Sequence, residues 1–391
     1  MTGSIEKRGK DSYRLIVFKG YDLDGKAIRH QKTIHCKNKS EARTELAKYL
    51  AEVENGFIVE GNVPTFKQFY EIWKRDYELN KLTPSTYSRY KGMLESRILP
   101  YFGHLKLNKI RHIDVMQFYN LLDENTQIVK KKNNNGKKTR KPLSKKTILE
   151  HHRLLHAMLT KAVYWQMIVS NPAERAQPPK APKPKRDCYD EVQTRILIDN
   201  LEKLTGNDIK YKVAVLLDIF IGARLGELAG LEWSDIDLKN GIISINKSSQ
   251  YLSDKGIFTK SPKTESSIRE VAITDFIISL LEEYKLWYEE QKSIVDDFWH
   301  DSNRLFVQVD GKPITPSTIS KWFEKFIKQI GLPVITFHGL RHTNANLLIA
   351  QQVDVATVSA RPGHAQITTT YNFYVHPLKS HDKHAGNVLE N

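Results

Sequence analysis

The sequence has little cysteine and no long apolar run, and both shortages exclude whole classes of protein. Among its 391 residues only Cys36 and Cys188 are cysteines, and they lie far apart without the spacing of a metal-binding pair. The sequence therefore predicts neither a disulfide framework nor a cysteine-based zinc site. It predicts instead that the protein is found in a reducing compartment. No apolar stretch approaches the roughly 20 residues that a membrane-spanning helix needs, and the opening MTGSIEKRGKDSY lacks the apolar core of a signal peptide.

What the chain has in excess is positive charge. Lysine and arginine number 60 against 45 for aspartate and glutamate, which gives a formal net charge of +15. A surplus of this size favours a polyanionic partner, and nucleic acid is the best candidate because no membrane-binding segment is recognisable. The length of the chain predicts two or three domains.

Residues 1–60 are predicted to form a small β-rich domain. Two or three runs of strand character surround the turn signal DLDGK at 22–26, and a helical segment follows them. Ser40 is the predicted N-cap of that helix, and the Asn-Gly pair at 55–56 is predicted to end it. The segment is basic, so it suits either a strand-based DNA reader or a sheet with a solvated, charged edge.

Residues 64–172 have helical periodicity and predict an all-α domain of four helices. Thr65, Thr83 and Ser144 have the residue types and positions of helix N-caps. The third connection contains KKKNNNGKKTRK at 130–141, which is too charged to pack. A flexible loop is predicted there, with a loop that holds a phosphate backbone as the alternative.

A linker at 173–188 separates these helices from a C-terminal domain at 189–391. The linker is rich in proline and lysine, so it is predicted to be extended with almost nothing to bury. In the domain, an apolar helix is predicted to end at a turn at Gly222, a short helix to run through Leu231, and a strand to begin at Ile242.

Two cationic residues of this domain each have a structural and a functional interpretation. Arg224 lies between two apolar helices, where an uncompensated guanidinium is costly, and Glu227 is close enough in sequence for a structural ion pair. Lys263 lies in the second turn of a predicted β-hairpin or three-stranded meander, where a lysine is normally only a solvated charge.

Two histidines accompany a second arginine farther along the chain. His338 and Arg341 stand at a predicted helix start, where the dipole and free N–H groups favour an anion such as phosphate. His364 follows a helix stop at Pro362–Gly363, and tyrosines lie on the next predicted helix. Two arginines, two histidines, a lysine and a tyrosine suffice for a phosphoryl-transfer site without a metal.

The segments GARLGEL, SPKTESSIRE, HGLRH and RPGH with TTTYNFYVH, in this order, resemble the tyrosine recombinases, the integrase family of phages and conjugative transposons. The resemblance covers essentially the whole chain and implies a multidomain α+β fold. It implies a β-rich, arm-type DNA-binding domain at 1–60 and a helical, SAM-like core-binding domain at 64–172. The part at 189–391 would be the mainly α catalytic domain with a small antiparallel β-sheet.

The resemblance assigns the cationic and proton-transferring residues. Arg224 and Arg341 would hold the scissile phosphate, because planar guanidiniums match its non-bridging oxygens and stay charged. His338 would accept the proton of the nucleophile, and Lys263 would protonate the leaving 5′ oxygen as general acid. His364 would hydrogen-bond a phosphate oxygen.

The nucleophile implied by the resemblance is Tyr374, which stands in the family's Tyr-x-His context ten residues after His364. Tyr371, one helical turn earlier, is the alternative, and it fits core packing or a DNA contact better. Pro362 replaces the leucine that the family commonly has before the second histidine, so the local turn is expected to differ. His342 is interpreted as a packing or orienting residue.

The resemblance further implies strand exchange through a 3′-phosphotyrosyl link and a Holliday junction, with no cofactor, metal or ATP. The implied partners are double-stranded core and arm sites, further copies forming a homotetramer on DNA, and an excisionase or host DNA-bending protein, but no membrane. The implied location is the bacterial cytoplasm at the nucleoid. Three other interpretations are a DNA-binding regulator without chemistry, a monomeric type IB topoisomerase, and a metal-dependent nuclease. The last is the least favoured, because the acidic residues of this sequence form no convincing cluster.

Overall fold

The computed structural model describes residues 2–21, 27–54, 63–78, 82–125, 127–132, 138–182, 187–260, 268–361 and 363. The chain divides into two compact units, Met1–Lys183 and Pro184–Asn391. Within the described ranges, no helix is long and apolar enough to cross a membrane.

The first unit begins with an antiparallel three-stranded sheet, in the order β1-β2-β3, that packs on one helix. Its elements are β1 (Thr2–Lys7), β2 (Ser12–Tyr21), β3 (Ala27–His35) and α1 (Lys39–Glu54). Alternate side chains of β2 point inward, so Leu15 and Val17 are fully buried in a cluster with Tyr49 and Val53 of α1. The predicted helix stop at 55–56 lies outside the described residues.

The N-cap of α1 is Asn38, and the prediction of Ser40 is wrong by two residues. The Asn38 Oδ1 atom accepts the backbone N–H of Glu41 at 2.9 Å. Because the helix begins at Lys39, Ser40 already lies in its first turn, where a side chain does not reach the free N–H groups of a cap.

Helices make up most of the remainder of this unit. They are α2 (Phe66–Glu78), α3 (Pro84–Met93), a π turn (Leu94–Ile98), α4 (Leu99–Phe102), a 3-10 turn (Leu107–Lys109), α5 (His112–Asn125) and α6 (Lys145–Tyr164). Thr83 and Ser144 accept the N–H groups of Thr86 and Thr147, and Thr65 accepts that of Gln68. The three predicted caps are therefore confirmed.

Two connections in this unit differ from the prediction. The two ends of the basic connection form an antiparallel ribbon of β4 (Gln127–Lys132) and β5 (Lys138–Lys141) rather than the predicted flexible loop, because backbone pairing does not require the segment to bury side chains. Residues 133–137, in the middle of the connection, lie outside the described residues. The predicted linker begins with a turn in which Ala173 and Ala176 are buried in the helical core. These small side chains contribute apolar contacts that the proline and lysine content of the segment does not suggest.

The described part of the second unit is mainly helical and contains two small antiparallel sheets. Its helices are α7 (Glu191–Glu202), α8 (Ile209–Ile221), α9 (Leu225–Leu228), α10 (Asp275–Val295), α11 (Pro316–Gln329), α12 (Phe337–Ala350) and α13 (Val355–Ala360), with 3-10 turns at Gly206–Asp208, Trp233–Asp235 and Asp296–Phe298. Its strands are β6 (Ile236–Asp237), β7 (Ile242–Ile245), β8 (Ser248–Leu252), β9 (Gly256–Lys260) and β10 (Arg269–Ala272).

The predicted hairpin is present as β8 and β9, but the three-stranded meander is wrong. Strand β10 pairs with β7, placing Val271 opposite Ile243, and the sheet order is β10-β7-β6. Both of these side chains are buried in the main core of the unit. Burial of the apolar face of β10 therefore selects β7 as its partner, which local sequence order does not reveal.

Helix α8 passes through the centre of the second unit, and its C-terminus positions the turn that leads to Arg224. The helix ends at Gly222, whose φ of 61° is readily adopted by glycine. The short helix that follows ends at Leu228 rather than at Leu231. Gly226 and Gly230 allow the hairpin to approach it closely, because an added Cβ would lie 2.6 Å from the Ser248 side chain and 3.0 Å from the Ser249 backbone.

Candidate active site

Arg224 occupies the extended N-cap position of α9, directly after the left-handed turn at Gly222. Its backbone N–H donates to Glu227 Oε2 at 3.0 Å, and its Nη1 donates to Glu227 Oε1 at 2.6 Å. Its Nη2 donates to the carbonyl of Gly363 at 3.1 Å. The predicted ion pair is confirmed, yet the Arg224 side chain remains 43% exposed. One edge of the guanidinium is held by protein while other parts face solvent.

Arg341 reaches the same turn from helix α12. It is 1% exposed, and its Nη1 donates to the carbonyl of Gly222 at 2.9 Å. Asn344, on the same helix, donates to the carbonyls of Ile219 at 2.7 Å and Phe220 at 3.1 Å. Helix α12 is therefore fixed against the C-terminus of α8, and Arg341 lies close enough to Arg224 for their charges to repel.

The charged groups around this turn alter one another's pKa values. Burial, followed by repulsion from Arg224, lowers the pKa of Arg341 to about 10. The guanidinium therefore stays protonated at neutral pH. Burial alone would raise the pKa of Glu227, but Arg269 and Arg224 outweigh it and lower that pKa below its ordinary value. Glu227 is therefore an ionised carboxylate between two guanidiniums.

Asp218 and Arg269 belong to the same charged cluster and were given no role from the sequence. Asp218 is fully buried in α8, and this burial raises its pKa well above the ordinary value, with Arg341 acting in the opposite direction. Arg269 lies on β10 and donates to Glu227 Oε2 at 3.0 Å. The sequence feature that could have identified Asp218 is its position as the single carboxylate in the apolar run VAVLLDIFI.

His338 lies in the first turn of α12, where it is exposed. The ring of His342, one turn later and buried, meets the His338 ring edge to face, with centroids 4.8 Å apart and planes at 80°. This contact restricts the orientation of the exposed imidazole, which agrees with the packing role predicted for His342. His338 and Arg341 thus project from one rigid helix start.

The other predicted site residues, Lys263, His364, Tyr374 and the alternative Tyr371, lie outside the described residues, as does Pro362. Gly363 is described, and its φ of 70° places a left-handed turn immediately before His364. In the part of the chain that the structure describes, no group of three or more His, Cys, Asp and Glu side chains could hold a metal ion.

The arrangement is suited to binding a tetrahedral anion. Arg224 presents a partly exposed guanidinium, Arg341 adds a second positive charge behind it, and His338 stands at the N-terminal end of a 14-residue helix. Guanidiniums bind phosphate oxygens in pairs, and a helix N-terminus favours negative charge. The described part of the site can therefore hold a phosphodiester and stabilise additional charge on it.

Comparison with known proteins gives consistent matches for both units. The model of the phage integrase family matches residues 189–381, and that of the phage integrase N-terminal SAM-like domain matches 65–122. A tyrosine recombinase XerC-like protein of Caldanaerobacter subterraneus is 28% identical, over 98% of this chain and 97% of its own. The ICEBs1 integrase of Bacillus subtilis is 24% identical, over 99% of both chains.

Solved structures share the fold. The Tn1549 transposon integrase in complex with transposon right-end DNA superposes with a TM-score of 0.67 at 20% identity, covering 84% of this chain and all of that one. A lambda integrase tetramer bound to a Holliday junction superposes with a TM-score of 0.55 at 17% identity, covering 94% of each chain.

Proposed function

The chain belongs to the phage integrase family of tyrosine recombinases, and we propose that it integrates and excises a mobile element by cutting and rejoining DNA at specific sites. The observation that supports this most directly is a pair of neighbouring guanidiniums: Arg341 donates to the Gly222 carbonyl, and Arg224, two residues beyond that glycine, donates to the carbonyl of Gly363. Both guanidiniums are held by backbone carbonyls before any DNA binds. A scissile phosphate would therefore meet a preorganised positive site.

In the proposed reaction the phenol oxygen of Tyr374 attacks the phosphorus atom. His338 takes the phenol proton, and the bond from phosphorus to the 5′ oxygen breaks as Lys263 protonates that oxygen. Arg224, Arg341 and a hydrogen bond from His364 stabilise the negative charge of the transition state. The products are a 3′-phosphotyrosyl link and a free 5′ hydroxyl.

Rejoining reverses these steps with a 5′ hydroxyl from the partner DNA. That hydroxyl attacks the phosphotyrosyl phosphorus, Tyr374 leaves, and a Holliday junction forms after the first pair of exchanges. The covalent link retains the free energy of the broken phosphodiester, so strand exchange needs neither ATP nor a metal ion.

We assign the arm-type sites to residues 1–60 and the core sites to residues 64–172 together with 189–391. Support for the first assignment is the exposed positive charge of the three-stranded sheet and its flanks, at Lys7, Arg8, Lys10, Arg29, Lys32, Lys37 and Lys39. The proposed active form is a homotetramer on two DNA sites, by likeness to the lambda integrase assembly. An excisionase or a host DNA-bending protein would set direction, and the reaction would take place at the nucleoid in the bacterial cytoplasm.

A recombination assay tests this function. A plasmid would carry the two ends of the element that contains this gene, and purified full-length protein would be incubated with it in EDTA. We expect deletion products with the wild type, and about 100-fold fewer with Arg224→Lys, because lysine cannot bind two phosphate oxygens as a fork.

The matched control is Arg195→Lys, the same change at an exposed arginine of α7. It should recombine as the wild type does. A wild-type protein that binds these ends and yields no recombinants, even when the element's excisionase and a host DNA-bending protein are added, would contradict the proposed function.

A further inference from the structure

We propose that Arg269 is a positioning residue of the active site, which holds the Arg224–Glu227 pair and the turn before His364 in one fixed arrangement. The inference rests on the proposed function and adds to it a residue outside the six catalytic residues, buried next to Glu227. Its basis is the set of contacts that one buried guanidinium makes.

Arg269 connects two segments that are far apart in sequence. Its side chain is 9% exposed, and its Nη2 donates to Glu227 Oε2 at 3.0 Å. Its Nε donates to the carbonyl of Arg361 at 2.7 Å. One rigid planar group thus fixes the distance between the carboxylate that orients Arg224 and the chain that leads into His364.

The turn itself is fitted to this guanidinium. Gly363 has a φ of 70°, and a Cβ added there would lie 3.0 Å from Arg269 Nη1. The Gly363 carbonyl in turn accepts Arg224 Nη2 at 3.1 Å. Arg269, Glu227, Arg224 and the 361–363 segment therefore form a closed ring of contacts, in which moving one member displaces the others.

A second arginine strengthens the same connection. Arg361 Nη2 donates to the carbonyl of Phe220 at 3.1 Å, at the end of the helix that leads to Gly222. The turn before His364 is thus attached both to the α8 terminus and, through Arg269, to β10. A guanidinium that only balanced the charge of Glu227 would not need the contact with the Arg361 carbonyl.

The test separates DNA binding from cleavage. Full-length protein would be mixed with an element-junction duplex nicked near the cleavage position, so that the cut fragment diffuses away. The dissociation constant would come from gel shift and the rate constant of covalent adduct formation from SDS gels at saturating protein. Arg269→Lys keeps the charge but cannot bridge both partners. We expect little change in binding and about 100-fold slower adduct formation, since small misplacements of reacting groups have effects of this size.

Arg304→Lys is the matched control, because Arg304 is an equally buried arginine of the same unit that contacts Gly230 and Thr259 rather than the 361–363 turn. If the two variants lose a comparable amount of melting temperature, Arg304→Lys should slow adduct formation much less than Arg269→Lys does. Equal slowing in both variants would overturn the proposal, because Arg269 would then contribute only to the general stability of the unit. Wild-type cleavage by Arg269→Lys would overturn it as well.

Gly363→Ala provides a second test that leaves every charge in place and applies if Arg269→Lys does not fold. Its methyl group meets the Arg269 guanidinium, so binding should persist while cleavage falls, and unchanged cleavage would overturn the proposal. If the wild type binds the duplex but forms no adduct, the proposed function fails and this inference falls with it. Loss of cleavage in the variants alone supports both.

Discussion

Glu227 contacts Arg224 twice within a single turn of the chain, through the Arg224 backbone N–H at 3.0 Å and through Nη1 at 2.6 Å. The carboxylate therefore fixes both the backbone of Arg224 and the orientation of its guanidinium. A guanidinium carries five N–H donors, and the Arg224 side chain is 43% exposed beyond its bonds to Glu227 and Gly363, so donors remain available to a phosphate. The pair is at once a structural ion pair and a prepared binding group.

Glu227→Gln is expected to destabilise the second unit. The substitution removes a buried negative charge and leaves Arg269, which is 9% exposed, without its compensating carboxylate. Removing one partner of a buried ion pair typically costs about 3 to 5 kcal/mol of folding stability. Because the glutamine amide can keep some of the hydrogen bonds, we expect a loss at the lower end of this range. Denaturant unfolding followed by tryptophan fluorescence, to which Trp233 and Trp287 of this unit contribute, measures it. Unchanged stability would show that the two arginines do not depend on this charge.

Asp218→Asn is expected to stabilise the protein at neutral pH. The folded-state pKa of Asp218 is raised above its ordinary 3.8, so the folded protein retains a proton that the unfolded chain releases. Wild-type stability relative to the variant should therefore fall as pH rises above about 4. Below that pH both states are protonated, and the two proteins should converge.

Denaturant unfolding of both proteins from pH 4 to pH 7 measures this difference. The groups that act on Asp218 are Arg341 from α12, Glu227 from α9 and Arg269 from β10. If wild-type stability instead rises relative to Asp218→Asn over this range, the carboxylate is ionised and its attraction to the arginines exceeds the cost of burial.

Arg341→Lys should abolish most cleavage while leaving DNA binding largely intact. Lysine retains the charge but cannot both bond the Gly222 carbonyl and present a second donor to phosphate. Loss of such a preorganised donor corresponds to about a 100- to 1,000-fold lower rate. Single-turnover adduct formation measures the effect, with Arg195→Lys as an exposed control. Cleavage at the wild-type rate would remove Arg341 from the proposed clamp.

Asn38→Ala should destabilise the N-terminal sheet and its helix by about 1 kcal/mol, the usual contribution of an N-cap. The Asn38 side chain bonds the Glu41 backbone N–H, whereas Ser40 makes no such bond. Ser40→Ala is therefore the matched control and should be nearly neutral. Circular dichroism of residues 1–54 against denaturant compares them, and the reverse ranking would restore Ser40 as the cap.

Local signals predicted well wherever neighbouring residues decide the outcome. The caps at Thr83 and Ser144, the turn at Gly222 and the Arg224–Glu227 pair all depend on contacts within four residues. The prediction of Ser40 as a cap was wrong by two residues, because residue type alone does not determine where a helix begins.

Pairing between segments that are distant along the chain could not be predicted from the sequence. Strand β10 joins β7 because burial of Val271 requires it, and no local pattern distinguishes that partner from β9. The role of Arg269 has the same origin, since its partners Glu227 and Arg361 lie 42 and 92 residues away. The motif SPKTESSIRE contained this arginine, but only the fold shows what it contacts.

Covalent trapping with tyrosine variants tests the central claim most directly. Wild type, Tyr374→Phe and Tyr371→Phe would be mixed with labelled, nicked junction DNA in EDTA, stopped with SDS and separated on a gel. We expect a protein–DNA adduct with the wild type and with Tyr371→Phe, and none with Tyr374→Phe. An adduct that survives Tyr374→Phe, or no adduct from wild-type protein that binds the DNA, would contradict it.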